Sequence, residues 1–156
     1  MKRYAKKLAV LTVALMAIGF APGTAQAASG QNIQNGNGLC LDSGAYMDQS
    51  VSDQACNLGP YQAWGFQNVG TWNGYQVYQL WNGKHGCLDD PNYDAPTTHA
   101  CNGGDYQHWA LIPYGSSFML ENVHFHNGCI YADYAGVGGV RTGFCDYSSK
   151  ALWHHL

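Results

Sequence analysis

Asp89 and Asp90 stand side by side, with Asp94 four residues on, a density of carboxylates that invites thoughts of paired acid–base chemistry or a cation cage. Glycoside hydrolysis needs two carboxyl groups across a cleft, one held protonated by apolar surroundings. Calcium needs more oxygen ligands than this loop plainly supplies. Seven histidines raise the question of a metal. His124 and His126 alternate along an expected strand and so face one way, and His154-His155 adjoin the C-terminus. No Cys, Asp or Glu at ligand spacing joins them, so they read as solvated surface histidines. A Ser-His-Asp elbow, a P-loop and a dinucleotide fingerprint are all missing from the sequence. The chain is expected not to be an enzyme, and no cofactor or metal is implied.

A recurrence is more informative than these clusters. Asp42 and Asp89 each stand two residues after a cysteine, in Cys40-Leu41-Asp42 and Cys87-Leu88-Asp89, and Cys129-Ile130-Tyr131 repeats the pattern with the aspartate replaced. Tyr46 and Tyr93 each follow that cysteine by six positions. Tyr61 and Tyr106 form a second matched pair, each three residues before a tryptophan. Trp64, Trp109 and Trp153 in turn stand eight positions after Cys56, Cys101 and Cys145. The tryptophans are spaced by 45 and 44 residues, which makes the chain a threefold repeat with units of about 30–70, 71–114 and 115–156. The tyrosines have a plain use as well, packing loops or covering a disulfide with the hydroxyl bonded.

Short strands must position these residues. Ile33-Gln34-Asn35, Tyr75 to Trp81 and Ser117 to Glu121 read as first strands, and the segments at Cys40, Cys87 and Cys129 as second strands. Val51, Thr97 and Val140 open third strands running into the second cysteine, and the tryptophans begin the fourth. Asn73-Gly74 and Pro113-Tyr114-Gly115 supply turn chemistry between units. No stretch after residue 28 sustains a helical period with caps, so helix should be minimal. Units this small cannot each bury a core. Packed about a pseudo-threefold axis they share one, built from Leu41, Leu88 and Ile130 with Trp64, Trp109 and Trp153.

The first 27 residues stand apart. Lys2, Arg3, Lys6 and Lys7 precede an apolar run, Leu8 to Phe20, too short to span a bilayer, and Ala25-Gln26-Ala27 offers a cleavage site. Residues 1–27 are expected to be a signal peptide and the mature chain, 28–156, to be secreted; an uncleaved anchor is the alternative. Cleavage leaves Lys84, Arg141 and Lys150 against ten carboxylates. Polyanion binding requires clustered cations, so nucleic acid and acidic membrane surfaces are poor partners, and no membrane insertion is expected after cleavage. A monomer is expected.

All six cysteines fall in the exported part, where disulfides persist. Six cysteines allow fifteen pairings. Identical units should pair identically, which gives Cys40–Cys56, Cys87–Cys101 and Cys129–Cys145, each worth roughly 3 kcal/mol in the chain-entropy picture. A free catalytic thiol or a metal–thiolate site is the rival, and the even count and oxidising compartment argue against it.

Cys-Leu-Asp, a second Cys, then Gln-x-Trp, three times over, resembles the ricin B-type β-trefoil lectins and related carbohydrate-binding modules of bacterial glycosidases. Gln62-Ala63-Trp64 and Gln107-His108-Trp109 carry the motif in full; Ala151-Leu152-Trp153 departs at the Gln. The resemblance covers essentially the whole mature chain and implies an all-β trefoil of three four-stranded repeats. It also implies a shallow sugar pocket in each unit, with the aspartate accepting sugar hydroxyls and an aromatic face stacking on the pyranose. Asp42 and Asp89 match that aspartate, and Tyr131 replaces it in the third unit. The family's stacking position holds Gln54, His99 and Gly143, and the Asn before the motif's Gln is replaced by Tyr61, Tyr106 and Lys150. Tyr46 and Tyr93, with Tyr61 and Tyr106, are candidate substitutes for the stacking face.

The expectation is therefore a non-catalytic, lectin-like protein whose partner is a neutral glycan or polysaccharide, bound at one or two shallow sites. The rival is a secreted protein-interaction trefoil, a protease inhibitor or toxin-like accessory with degenerate sugar pockets. A stable envelope protein with no live pocket is a third possibility.

Overall fold

The computed structural model describes residues 30–133 and 138–156; the expected signal segment lies outside the described residues. Twelve strands run in chain order as β1 (Ile33–Asn35), β2 (Leu39–Asp42), β3 (Ser52–Ala55), β4 (Trp64–Trp72), β5 (Tyr75–Asn82) and β6 (Gly86–Asp89). They continue as β7 (Thr97–His99), β8 (His108–Tyr114), β9 (Ser117–Asn122), β10 (Gly128–Ala132), β11 (Gly138–Phe144) and β12 (Trp153–His155). A single 3₁₀ turn at Asp105–Gln107 is the helical content of the described residues.

First and fourth strands of the units make a ring. β1 pairs with β12, β12 with β9, β9 with β8, β8 with β5 and β5 with β4, all antiparallel. The bridge Gln31–Trp64, bonded both ways at 2.8 and 3.0 Å, returns to the start. Closure removes the open edges a sheet would otherwise present. The second and third strands form hairpins, β2–β3, β6–β7 and β10–β11, that cap one end. Neighbouring hairpins touch through Asp53 and Ser52 with Gly138 and Gly139, through the Ser50–Thr97 bridge, and through the Thr142 N–H to Asp94 carbonyl bond.

The shared core is the one the repeat requires. Leu41, Leu88, Ile130, Trp64, Trp109 and Trp153 have no exposed surface, and Ile33, Leu80 and Leu120 join them. A buried indole needs a partner for its N–H. Each Nε1 donates to the carbonyl between a unit's first cysteine and the motif's aspartate position: Trp64 to Leu41 at 2.9 Å, Trp109 to Leu88 at 3.0 Å, Trp153 to Ile130 at 3.1 Å. The bond ties each hairpin to the barrel. The disulfides are Cys40–Cys56, Cys87–Cys101 and Cys129–Cys145, each with its Cα atoms 5.0 Å apart.

Three local expectations are corrected. His124 and His126 lie in the loop between β9 and β10, not on a strand, because β9 ends where Asn122 turns its side chain to the N–H groups of His124 and Phe125. Pro113 and Tyr114 belong to β8, and the reversal falls on Gly115 and Ser116, where Gly115 has φ +61°. His85, expected in solvent with the other histidines, is buried. By contrast Asn73 and Gly74, both at positive φ, make the two-residue turn between Trp72 and Tyr75 that their types favour.

Candidate functional site

Asp42 ends β2 and Asp89 ends β6, so each leaves the hairpin cap as the chain enters a loop. Both are buried but for a sliver, and both are gripped by the motif's glutamine. Gln62 Nε2 donates to Asp42 Oδ2 at 3.1 Å and to the Ala55 carbonyl at 3.0 Å, while its Oε1 accepts the Asn57 N–H at 2.9 Å. Gln107 repeats this with Asp89 Oδ2 at 2.8 Å, the Ala100 carbonyl at 3.0 Å and the Asn102 N–H at 2.9 Å. One amide N–H fixes the rotation of the carboxylate while the other and the oxygen anchor the glutamine to the backbone, which explains why Gln and Asp occur together. In the third unit both change together: Tyr131 takes the Asp position and Ala151 the Gln position. The Tyr131 ring lies across Gly143, where a Cβ would approach it to 2.4 Å.

An open cavity lies over each unit. The first, about 450 Å³, is lined by Asp42, Gly44, Ser52, Gln54, Asn57 and Tyr61, among others. The second, about 460 Å³, is lined by Asp48, Asp89, Thr97, His99, Asn102 and Tyr106, with Pro91. The third, about 410 Å³, has Tyr131, Asp133, Phe144, Asp146 and Lys150 in its wall. The first two therefore share an Asp, an Asn and a Tyr in equivalent places. The third carries a phenol, a carboxylate and an ammonium group there.

Tyr61 and Tyr106 are the tyrosines that reach the first two cavities. The Ser43 and Asp90 N–H groups bond to their carbonyls at 2.9 and 3.1 Å, and the next unit's first strand adds a second hold through Asn82 Nδ2 on Tyr61 O (3.1 Å) and Asn122 Nδ2 on Tyr106 O (2.9 Å). A histidine from that next unit backs each ring: His85 stacks on Tyr61 at 5.2 Å and His124 tilts against Tyr106 at 4.1 Å. Tyr46 and Tyr93 lie outside both linings. Tyr46 is 68 % exposed on the loop after β2, whereas Tyr93 turns toward the third unit and packs edge-on against Phe125. Sequence equivalence did not carry over because the loop after Asp42 runs on to the second unit: the Asp48 N–H bonds to the Thr98 carbonyl at 2.8 Å.

That crossing gives the second cavity a feature the first lacks. Asp48 bonds His99 Nδ1 from a neighbouring unit, and this hydrogen bond, with the charge of Asp48, raises the imidazole pKa above its ordinary value. Asn57 and Asn102 were visible in the sequence as a repeated Cys-Asn. The His85 and His124 contacts come from the following unit at irregular spacing and gave no signal.

The other chemistry weighed from sequence disperses. Asp89 is held by Gln107, Asp90 is buried with Oδ1 accepting the Asn92 N–H, and Asp94 pairs with Arg141 at 2.7 Å. Among the described residues no three His, Cys, Asp or Glu side chains cluster as metal ligands, and no helix is long and apolar enough to cross a membrane.

No protein-family profile and no curated protein matches the chain by sequence. Solved structures do match in shape. A designed 3-fold symmetric protein, ThreeFoil, superposes with a TM-score of 0.70 at 18 % identity, over 81 % of this chain and 96 % of that one. The chain is a β-trefoil. An exo-β-1,3-galactanase from Clostridium thermocellum matches this trefoil at a TM-score of 0.69 and 21 % identity, over 83 % of this chain and 30 % of the enzyme. The Polyporus squamosus lectin, solved with a sialylated epitope, matches at 0.66 and 15 %, over 81 % of this chain and 48 % of the lectin.

Proposed function

We propose that this trefoil is an exported, monomeric, non-catalytic carbohydrate-binding protein that recognises neutral glycans at the Asp42–Tyr61 and Asp89–Tyr106 cavities. The observation that carries the reading is the duplicated constellation itself: a carboxylate rotationally locked by a buried glutamine, beside an asparagine and a half-exposed tyrosine backed by histidine, in two units at once. A fixed carboxylate accepts hydrogen bonds from a pair of sugar hydroxyls, and such charge-assisted bonds are worth about 1.5–3 kcal/mol each. The phenol offers a face to the C–H side of a pyranose. The scarcity of cations opposes acidic polymers as ligands. The galactanase and the lectin among similar structures, and three disulfides with no membrane-crossing helix among the described residues, support the reading without carrying it.

Open, shallow cavities make single-site binding weak, so affinity comes from two sites on one polymer. The test is a screen of glycans and insoluble polysaccharides with wild type and the double variant Asp42→Asn, Asp89→Asn. Wild type should bind a neutral glycan and the double variant should lose at least tenfold, a single charge-assisted bond's worth. Undiminished binding by the variant contradicts the site. A glycan-silent wild type favours protein recognition, for which the third unit offers exposed Phe144 and Tyr147, whose ring pairs at 5.3 Å with that of Tyr114 from the second unit.

A further inference from the structure

Strand register defines three equivalent contacts where a fourth strand meets the next first strand: Gly65 opposite Trp81, Ala110 opposite Glu121, and His154 opposite Gln34. Trp81, Glu121 and Gln34 each also face the first cysteine of their unit, which fixes the equivalence. Two of the contacts are ordinary. His154 bonds Gln34 at 2.9 Å, and Glu121 accepts the Asn127 N–H. The remaining contact sets a glycine against an indole. A Cβ on residue 65 would lie 2.3 Å from the Trp81 indole, so the ring rests directly on glycine backbone and no larger residue fits beneath it.

Trp81 is not part of the shared core. Trp64, Trp109 and Trp153 are core residues with no exposed surface, whereas Trp81 is only partly buried. Its indole walls a separate cavity of about 210 Å³ with Gly30, Pro60, Ala63, Gly83 and Lys84. This cavity lies across one turn from the Asp42 cavity: Pro60 and Ala63 line one, and Tyr61 between them lines the other. Asn82, next to Trp81 in β5, holds that turn with Nδ2 on the carbonyls of Pro60, Tyr61 and Ala63 at 3.0, 3.1 and 3.1 Å. The strand that carries the indole thus fixes the tyrosine relative to it.

We propose that Trp81 is a second aromatic subsite beside the Asp42–Tyr61 cavity, so that the first unit reads neighbouring rings of one glycan chain and not a single terminal sugar. The proposal rests on the carbohydrate reading and adds the ligand's length. An indole presents the largest aromatic face for a pyranose C–H surface, and Lys84 in the same lining brings an ammonium donor for hydroxyls. The second unit, with Glu121 and Ala110 at these positions, has no such extension.

Calorimetric titration with galactose, glucose, xylose and N-acetylglucosamine, and with their linear oligomers of up to four rings, tests this on wild type, Trp81→Gln and Asp42→Asn. Glutamine is the residue already accommodated at position 34, and near-ultraviolet circular dichroism checks the fold. In whichever series binds, affinity should climb from one ring to the longer oligomers. Trp81→Gln should cost about tenfold on the oligomers, the size of one aromatic contact, and leave the monosaccharide unchanged. Asp42→Asn should weaken both. Length-independent affinity, or a Trp81→Gln protein that binds the four-ring oligomer as wild type does, overturns the subsite and leaves the carbohydrate reading standing. Failure of wild type to bind any series overturns both.

Discussion

At the scale of single residues, the His99–Asp48 pair makes the clearest prediction. The hydrogen bond and charge of Asp48 raise the His99 pKa above the ordinary 6.5. A base with a raised folded-state pKa contributes its stability fully below the unfolded value, and that contribution fades as pH rises through the folded one. The loop that brings Asp48 to the second cavity should therefore hold tightest on the acid side of neutrality and loosen above it. Both groups are exposed, so the effect is local. NMR titration should place the His99 pKa above 6.5, and Asp48→Asn should return it toward that value; an unshifted His99 in wild type contradicts the contact. Nothing in the sequence announced this pair, because 51 residues separate its members. Asp42, Asp89 and their glutamines were legible, since short fixed spacings within a repeat report a shared local geometry. Tyr46 and Tyr93 were misleading for the converse reason: equal spacing does not fix loops that lean on different neighbours.

Among elements, the link from each second cysteine to the following tryptophan shows how far sequence can drift while backbone stays put. It opens with an Asx turn in every unit, the side chain of Asn57, Asn102 or Asp146 accepting the N–H two residues on at 2.7, 2.8 and 2.9 Å. The next residue is left-handed each time: Leu58 at φ +54°, Gly103 at +70°, Tyr147 at +57°. Only one of them is glycine. A left-handed leucine costs about 1–2 kcal/mol, part of which glycine returns as lost chain entropy. Leu58→Gly should thus stabilise the protein by about 0.5–1 kcal/mol, since Leu58 is 76 % exposed and gives up little packing. Urea unfolding should show a higher midpoint with an unchanged slope; a lower midpoint would mean that the left-handed turn does not form in solution. The strands themselves were readable because cysteine and tryptophan mark their phase. The β8–β9 reversal was misplaced at Pro113, whose turn preference yields here to pairing opposite Phe118.

For the molecule as a whole, the threefold plan separates what is shared from what has diverged. Core tryptophans, disulfides and the Asx turns obey the symmetry in all three units. The Asp–Gln clamp obeys it in two, and the Gly65–Trp81 pair occurs in one. Such grading is what is expected when the fold needs every unit and ligand recognition needs only some. It also explains why the architecture could be read from sequence while the cavities could not be ranked. A crystal structure of the protein soaked with the neutral oligosaccharide that binds best is the most direct test of this account. It predicts sugar density with hydroxyls on Asp42 and Asp89 and rings against Tyr61 and Tyr106, and none over Tyr131 and Lys150. Density confined to the third cavity, or two empty aspartate cavities in a crystal that holds the sugar elsewhere, would contradict it.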